Sequence, residues 1–221
     1  MAKDTKNRLI ETGLMLLLER GYSGLGILAV LEATGTPKGS FYHHFRDKED
    51  FALQVIDAYV SGVHEQLEAC LSDKATDPLD RIRGFFEATA LAYESQGYMG
   101  CLMGGIGQEL AATSEVFRDK IEGCLAAIAE RIAVCLAEAQ RQGRLHPDAD
   151  VAAMSNLIVD GWEGAALRSR LRRSPASLDA MLGFYFAALP TIAPTPSRSA
   201  VHSGPSLSGS DGTGPGGLRR R

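Results

Sequence analysis

No stretch of this 221-residue chain approaches the ~18 to 20 uninterrupted apolar residues that a membrane span requires. The longest apolar run near the start, Gly13-Leu14-Met15-Leu16-Leu17-Leu18, is flanked by Glu11 and by Glu19-Arg20. It follows the charged residues Lys3, Asp4, Lys6 and Arg8 without a small-residue cleavage site, which argues against a secretory signal and for a cytoplasmic protein. Cysteine is scarce and scattered. Cys70, Cys101, Cys124 and Cys135 form no C-x-x-C pair and have no nearby ligand histidine, so zinc spacing is absent, and a chain this long needs no disulfide framework. Strand-like alternation is missing, and no repeat of fixed period occurs. A phosphate-binding loop and a legible Ser/Cys–His–acid arrangement are lacking too, which leaves an all-α enzyme using Cys101 or a histidine only as an alternative. No cofactor and no metal are expected.

What is present is an ordinary globular composition, 45% hydrophobic and 23% charged, with length enough for a real core. The charge is unevenly spread. Residues 1–48 carry seven Lys or Arg against five Asp or Glu, a surplus of two, whereas residues 49–195 carry 12 against 21, a deficit of nine. A weakly basic head on an acidic body suggests that the head alone meets a polyanion. Residues 193–221 are dominated by Pro, Ser and Gly, end in Arg219-Arg220-Arg221 and show no apolar period, so a disordered tail is expected there.

Elsewhere a 3.6-residue period recurs, and the fold class it implies is all-α with about nine helices. Leu9, Ile10, Gly13, Leu14, Leu17 and Leu18 line one side of a helix over 4–20 that stops at Gly21. Short helices are expected over about 25–33, ending at Gly35, and from Pro37 to His44. Asp47 is placed to cap a helix from Lys48 to about Leu71, with Phe51, Val55, Ala58, Tyr59 and Val63 facing in. Further helices are expected over 78–95, up to about Ala112, from Ser114 or Thr113 to Gly143, from Asp148 onward, and from Ser177 through Leu189.

The two short helices, joined by Thr34-Gly35-Thr36, have the layout of a helix-turn-helix. Five ring side chains stand at five consecutive positions, Phe41 to Phe45, in TPKGSFYHHF, residues 36–45, and one face of so short a helix cannot bury them all. Phe41 and Phe45, four apart, fall together and should pack on the first helix and the Leu28/Leu31 region. Tyr42 and His43 are left pointing outward, with His44 between the two faces. Pro37 fixes the first turn with its free amides outward, Lys38 supplies charge, Gly39 removes a side chain where backbones approach, and Ser40 offers a hydroxyl to a phosphate or base edge. Lys48, opening the next helix, is placed to pin a phosphate backbone. Singly, Lys38 and Lys48 read equally well as solvated charges. His43 and His44, about 100° apart on a helix, make a poor metal pair.

The run T-P-K-G-S-F-Y-H-H-F-x-x-K-E, residues 36–49, resembles the signature of the tetracycline-repressor (TetR) family of bacterial regulators. Arg20-Gly21-Tyr22 upstream and Asp47-Lys48-Glu49 downstream stand at that family's offsets, so the resemblance covers about residues 5–60 and, by helix number and length, extends to about residue 192. It implies a helix-turn-helix DNA-binding domain over 1–48, an effector-binding and dimerisation domain over 49–192, and a transcriptional repressor that binds a double-stranded, palindromic operator as a homodimer. The implied DNA-contacting residues are Gly26, Thr36, Pro37, Lys38, Gly39, Ser40, Tyr42, His43 and Lys48. One departure is the apolar, glycine-rich stretch Ser23-Gly24-Leu25-Gly26-Ile27-Leu28, where Gly26 offers only its backbone amide. The small residues of Asp160-Gly161-Trp162-Glu163-Gly164-Ala165-Ala166-Leu167 suit close helix approach, and the dimer surface is expected within 151–189.

For an effector site, Tyr59, His64, Phe86, Tyr93, Tyr98, Met99, Met103 and Trp162 are candidate lining residues, with ordinary core packing the alternative for each. GCLMGGIGQEL (100–110) and GWEGAALRSRL (161–171) resemble a branch of the family that responds to acrylate, N-ethylmaleimide and similar electrophiles. Cys101 stands at a helix start, where the dipole favours thiolate, and a thiolate attacks an activated alkene or is oxidised in redox sensing. The alternative is a small packing residue. A lysine used late in the chain by one sensor of that branch is matched here by Arg170, which cannot make the same link to sulfur. Arg168 or Arg170, if turned inward, would instead suit a small carboxylate effector.

Overall fold

The computed structural model describes residues 2–189, and among them the chain forms nine helices and no strand. These are α1 (Ala2–Gly24), α2 (Ile27–Thr34), α3 (Lys38–His44), α4 (Lys48–Leu71), α5 (Pro78–Ser95), α6 (Leu102–Leu110), α7 (Glu115–Arg141), α8 (Val151–Arg172) and α9 (Ala176–Ala188). No helix among the described residues is long and apolar enough to cross a membrane. The expected Pro/Ser/Gly-rich tail lies outside the described residues.

The helix ends follow local chemistry. At Gly21 the backbone swings to φ 69, ψ −177, a conformation only glycine adopts readily, so the first helix breaks where its apolar stripe ends and Tyr22–Gly24 make one further turn. α2 closes on Gly35 in the left-handed region (φ 62), and the Thr36 amide reaches back to the Leu31 carbonyl at 3.1 Å, satisfying the last carbonyls. Pro37 is the N-cap of α3 rather than its first helical residue. Asp47 accepts from the Asp50 amide at 2.8 Å, as its position before α4 implies. The eighth helix is capped by Asp150, not Asp148: Asp150 accepts from the Ala153 amide at 2.9 Å, while Asp148 belongs to the preceding turn.

α1, α2 and α3 share a core with the start of α4. Phe41, Phe45 and Phe51 form a triangle of rings with centroids 4.8 to 5.1 Å apart, all fully buried. Gly13 seats this cluster, since a Cβ there would lie 2.5 Å from Phe51 Cζ and 2.9 Å from Val55 Cγ2. Val30 and Leu31 complete the packing on α2, and Leu28, expected inside, is 67% exposed because two residues, about 200° of helix, separate it from Val30. Ala58 is likewise turned to solvent, and Ile56 and Val60 occupy the buried face of α4.

In the helical body, Arg81 joins three elements. Its guanidinium, with only 3% of the residue exposed, donates to the Leu71 carbonyl that ends α4 and to Glu138 on α7, each at 2.7 Å. Lys74 adds a contact of 2.8 Å to the same carboxylate. Hydrogen bonds from Arg81 and then Lys74 hold the Glu138 carboxyl at about 2, below its usual 4.5. A depressed folded-state value means that this pair stabilises the fold fully above the ordinary carboxylate value and less as pH falls through it. Glu138→Gln is therefore expected to melt earlier than wild type at neutral pH, with the gap closing as pH is lowered from 4.5 towards 2 in thermal unfolding curves.

Candidate nucleic-acid interface and effector site

α3 divides its rings as its length requires. Phe41 and Phe45 anchor it, Tyr42 is 49% exposed, His43 is exposed, and His44 is half-buried against both neighbours. Pro37, Lys38 and Gly39 stand at the surface beside Ser40, with the Lys38 ammonium 5.9 Å from the Tyr42 ring centroid. A Cβ at Gly39 would meet nothing within 4 Å, so the room left by this glycine is open on the free surface. Gly26 is exposed and is the N-cap of α2 with no side-chain hydrogen bond to the helix start. Lys48 lies 4.5 Å over the Tyr22 ring. Thr36 stands apart from the other expected contacts: it is 8% exposed, packed into the turn between α2 and α3.

α6 reaches from this region into the body. Near its C-terminal end the Glu109 carboxylate accepts from the backbone amides of Tyr22 at 2.7 Å and Ser23 at 2.6 Å, the first donors after the break at Gly21. Burial opposes ionisation of Glu109, yet these hydrogen bonds and the nearby Lys48 charge bring its carboxyl below the usual range. The Arg170 guanidinium of α8 adds a second tie, donating to the Leu18 carbonyl of α1 at 3.0 Å. Arg8 fastens α1 to the Thr34 carbonyl at the end of α2.

The N-terminal end of α6 lies between two cavities. Tyr59, Phe86, Tyr93, Met103 and Trp162 line, together with Cys101, one small space of about 30 Å³. Phe86 and Tyr93 pack on the Trp162 ring with centroids 4.9 and 5.9 Å apart. Met99 instead lines a second cavity of about 280 Å³ with Cys101, Gln108, Glu163 and Arg170. Tyr98 and His64 line neither: the Tyr98 hydroxyl bonds Glu94, and the His64 Nε2 is buried without a hydrogen-bond partner.

Cys101 differs from expectation. It is the N-cap residue of α6, but burial first and the Glu163 carboxylate second push its thiol up to about 12, so the helix-start dipole is outweighed and the group is a neutral thiol. The Tyr59 and Tyr93 hydroxyls are raised as well, chiefly by burial, and Glu163 is raised by burial although the adjacent Cys101 thiol lowers it. Glu163 was not among the expected site residues. Its signal in the sequence is an acid four residues after Val159 and three before Ala166, both buried positions of α8.

Two short helices presenting a basic, ring-bearing surface, tied to a helical body with internal cavities, define a helix-turn-helix transcriptional regulator. Residues 9–55 match the bacterial regulatory proteins of the tetR family, and residues 78–184 match the tetracyclin repressor-like C-terminal domain. The chain belongs to the TetR family, whose members bind DNA operators and ligands as dimers. It is 40% identical over 171 residues to the transcriptional regulator AcuR of Cereibacter sphaeroides, covering 77% of this chain and 78% of that one. It is 32% identical over 184 residues to the repressor DhaR of a Mycobacterium species, covering 83% and 91%. A crystal structure of a TetR regulatory protein from Rhodobacter sphaeroides superimposes with a TM-score of 0.78 at 38% identity, over 81% of this chain and 95% of that one. The reduced form of Escherichia coli NemR superimposes with a TM-score of 0.76 at 27% identity, over 86% and 100%. The family and these relatives are transcriptional regulators, not enzymes.

Glu109→Ala removes the acceptor for two amides. Hydrogen exchange at Tyr22 and Ser23 is expected to accelerate by at least about tenfold, the equivalent of a charged hydrogen bond worth ~1.5 kcal/mol, with little change at the buried amides of α7.

Proposed function

We propose that this TetR-family repressor binds a palindromic operator as a cytoplasmic homodimer and is released when a small electrophile or carboxylate-bearing molecule enters the space around Cys101. In this reading residues 1–48 are the DNA-binding domain and 49–192 the effector and dimerisation domain. The observation that carries the proposal is that one nine-residue helix, α6, meets both: Cys101 caps its start, and Glu109 near its end holds the backbone just before α2. An effector that prefers a displaced α6 favours the conformer in which Tyr22, Ser23 and the helix-turn-helix beyond them have shifted, and the two recognition helices of the dimer then lose their match to successive major grooves.

Lys38, Tyr42 and His43 are the side chains best presented to DNA, with Gly39 allowing close approach, Ser40, Pro37 and Gly26 at the rim, and Lys48 on the backbone. Thr36 serves by shaping the turn. Dimerisation through α8 and α9 is supported by the apolar side chains left on their outer faces: Leu157, Leu167, Leu171 and, 78% exposed, Phe184. Arg170 lines the larger cavity, which favours an anionic group on the effector, although its guanidinium is already engaged with Leu18.

Lys38→Ala is expected to weaken operator binding and to reduce the slope of log affinity against log salt by about 1.8, one phosphate contact from each protomer of the dimer. Tyr42→Ala should cost about 1 kcal/mol or more in a gel-shift titration, and unchanged affinity in both variants would remove this DNA face. Cys101→Ser is expected to stay on the operator when N-ethylmaleimide is added to the wild-type releasing concentration. Full release of that variant would sink the covalent mode.

A further inference from the structure

A thiol that burial holds neutral does not react at neutral pH unless its proton has somewhere to go. We propose that Glu163 is the proton acceptor for Cys101, so that the two side chains act as a nucleophile–base pair toward small activated alkenes. The inference rests on the reading of Cys101 as the sensing thiol.

The geometry carries it. Glu163 comes from the middle of α8 and Cys101 from the start of α6, yet both line both cavities. Gly104, one turn into α6, makes the approach feasible: the Glu163 Oε2 occupies the place a Cβ would take there, and that same place is 3.9 Å from Cys101 Cβ. A carboxyl group directed into such a position is otherwise costly, since no Lys, Arg or His among the described residues forms an ion pair with it. Arg170, on the wall of the same cavity, is turned to the Leu18 carbonyl. The other polar groups lining the two cavities are Tyr59 from α4, Thr89 and Tyr93 from α5, Gln108 from α6 and Arg170 from α8, and Cys101 also borders a third cavity with Glu19 and Arg20 of α1. The two phenols are held protonated by burial, the amide and the hydroxyl have no basic site, and Glu19 is paired with Arg20, so Glu163 is the one carboxylate lining the two cavities that the pair shares. Burial raises both members of the pair, and an acceptor whose proton affinity is raised accepts from a thiol more readily than an ordinary carboxylate.

The step balances without an outside oxidant. The Cys101 S–H bond breaks as its proton passes to a Glu163 oxygen, and the sulfur pair forms an S–C bond to the β-carbon of the alkene. The π pair moves to the α-carbon as an enolate, which takes the proton back from the Glu163 carboxylic acid. The carboxylate is restored, and the net change is addition of S–H across C=C. The larger cavity, about 280 Å³, is the route by which such a molecule meets the thiol.

The test uses the full chain and N-ethylmaleimide, with adduct formation at Cys101 followed by peptide mass spectrometry from pH 5.5 to 8.5. Melting temperature and operator affinity are measured on each unmodified variant. Wild type is expected to show a rate that rises and then levels as Glu163 becomes ionised. Glu163→Gln should react about 100-fold more slowly at neutral pH and lose the plateau, rising with hydroxide throughout. Glu163→Asp, which keeps a carboxylate, should retain the plateau at an intermediate rate, and it decides the matter if the Gln variant does not fold. A carboxylate that merely repelled the thiolate would give the opposite sign, with Glu163→Gln reacting as fast as wild type or faster, and that result overturns the proposal. A folded Asp variant without a plateau does the same. Absence of any Cys101 adduct in wild type, or an adduct that leaves the operator bound, instead overturns the sensing role of Cys101 and this inference with it.

Discussion

Glu109 accepts hydrogen bonds from two consecutive backbone amides 86 and 87 residues earlier in the chain, and much of the structure is arranged so that it can. The amides of Tyr22 and Ser23 are free to donate only because Gly21 breaks the helix in front of them, at a φ that a side chain would resist. A Cβ at Gly21 would also sit 2.5 Å from the Glu109 carboxylate, so the same glycine supplies both the backbone turn and the space. Behind α6, Ile106 packs fully buried, and Phe117 of α7 meets the Tyr22 ring at 5.1 Å, so the tie is backed by apolar contact on both sides. A carboxylate accepting two amides in a partly dry setting has few alternative partners of equal quality, which makes the junction discrete rather than compliant.

The helix-turn-helix was legible because its chemistry is local. The break at Gly21, the left-handed Gly35, the cap at Asp47 and the inward pair Phe41 and Phe45 all depend on neighbours within a turn or two. Leu28, Ala58 and Asp148 escaped for the complementary reason: each satisfies a local pattern, and which face is buried, or which of two acids caps, is decided by the helices that arrive from elsewhere. Six of the expected lining residues converge on the smaller cavity, since their side chains on α4, α5, α6 and α8 point to one shared interior, whereas Tyr98, Met99 and His64 do not join them.

The ionisation of the site was not legible. A helix start favours a thiolate, and by position alone Cys101 earns that expectation. Its desolvation depends on α4, α5 and α8 closing over it, and its acidic neighbour Glu163 lies 62 positions further along the chain. No one-dimensional pattern marks Glu109, and Glu163 is marked only by its spacing from Val159 and Ala166. Each becomes consequential because a glycine on the facing backbone leaves a gap of the right size, Gly21 for one and Gly104 for the other.

The cavity between Trp162 and Tyr59 holds about 30 Å³, far below the ~300 Å³ or more that a small-molecule pocket usually offers. Any molecule that enters it must first separate the packed rings of Phe86, Tyr93 and Trp162, and the free energy of that separation is subtracted from its binding. For an effector of the proposed kind, the cohesion of these rings would set a threshold that binding has to exceed before any contact specific to that molecule counts.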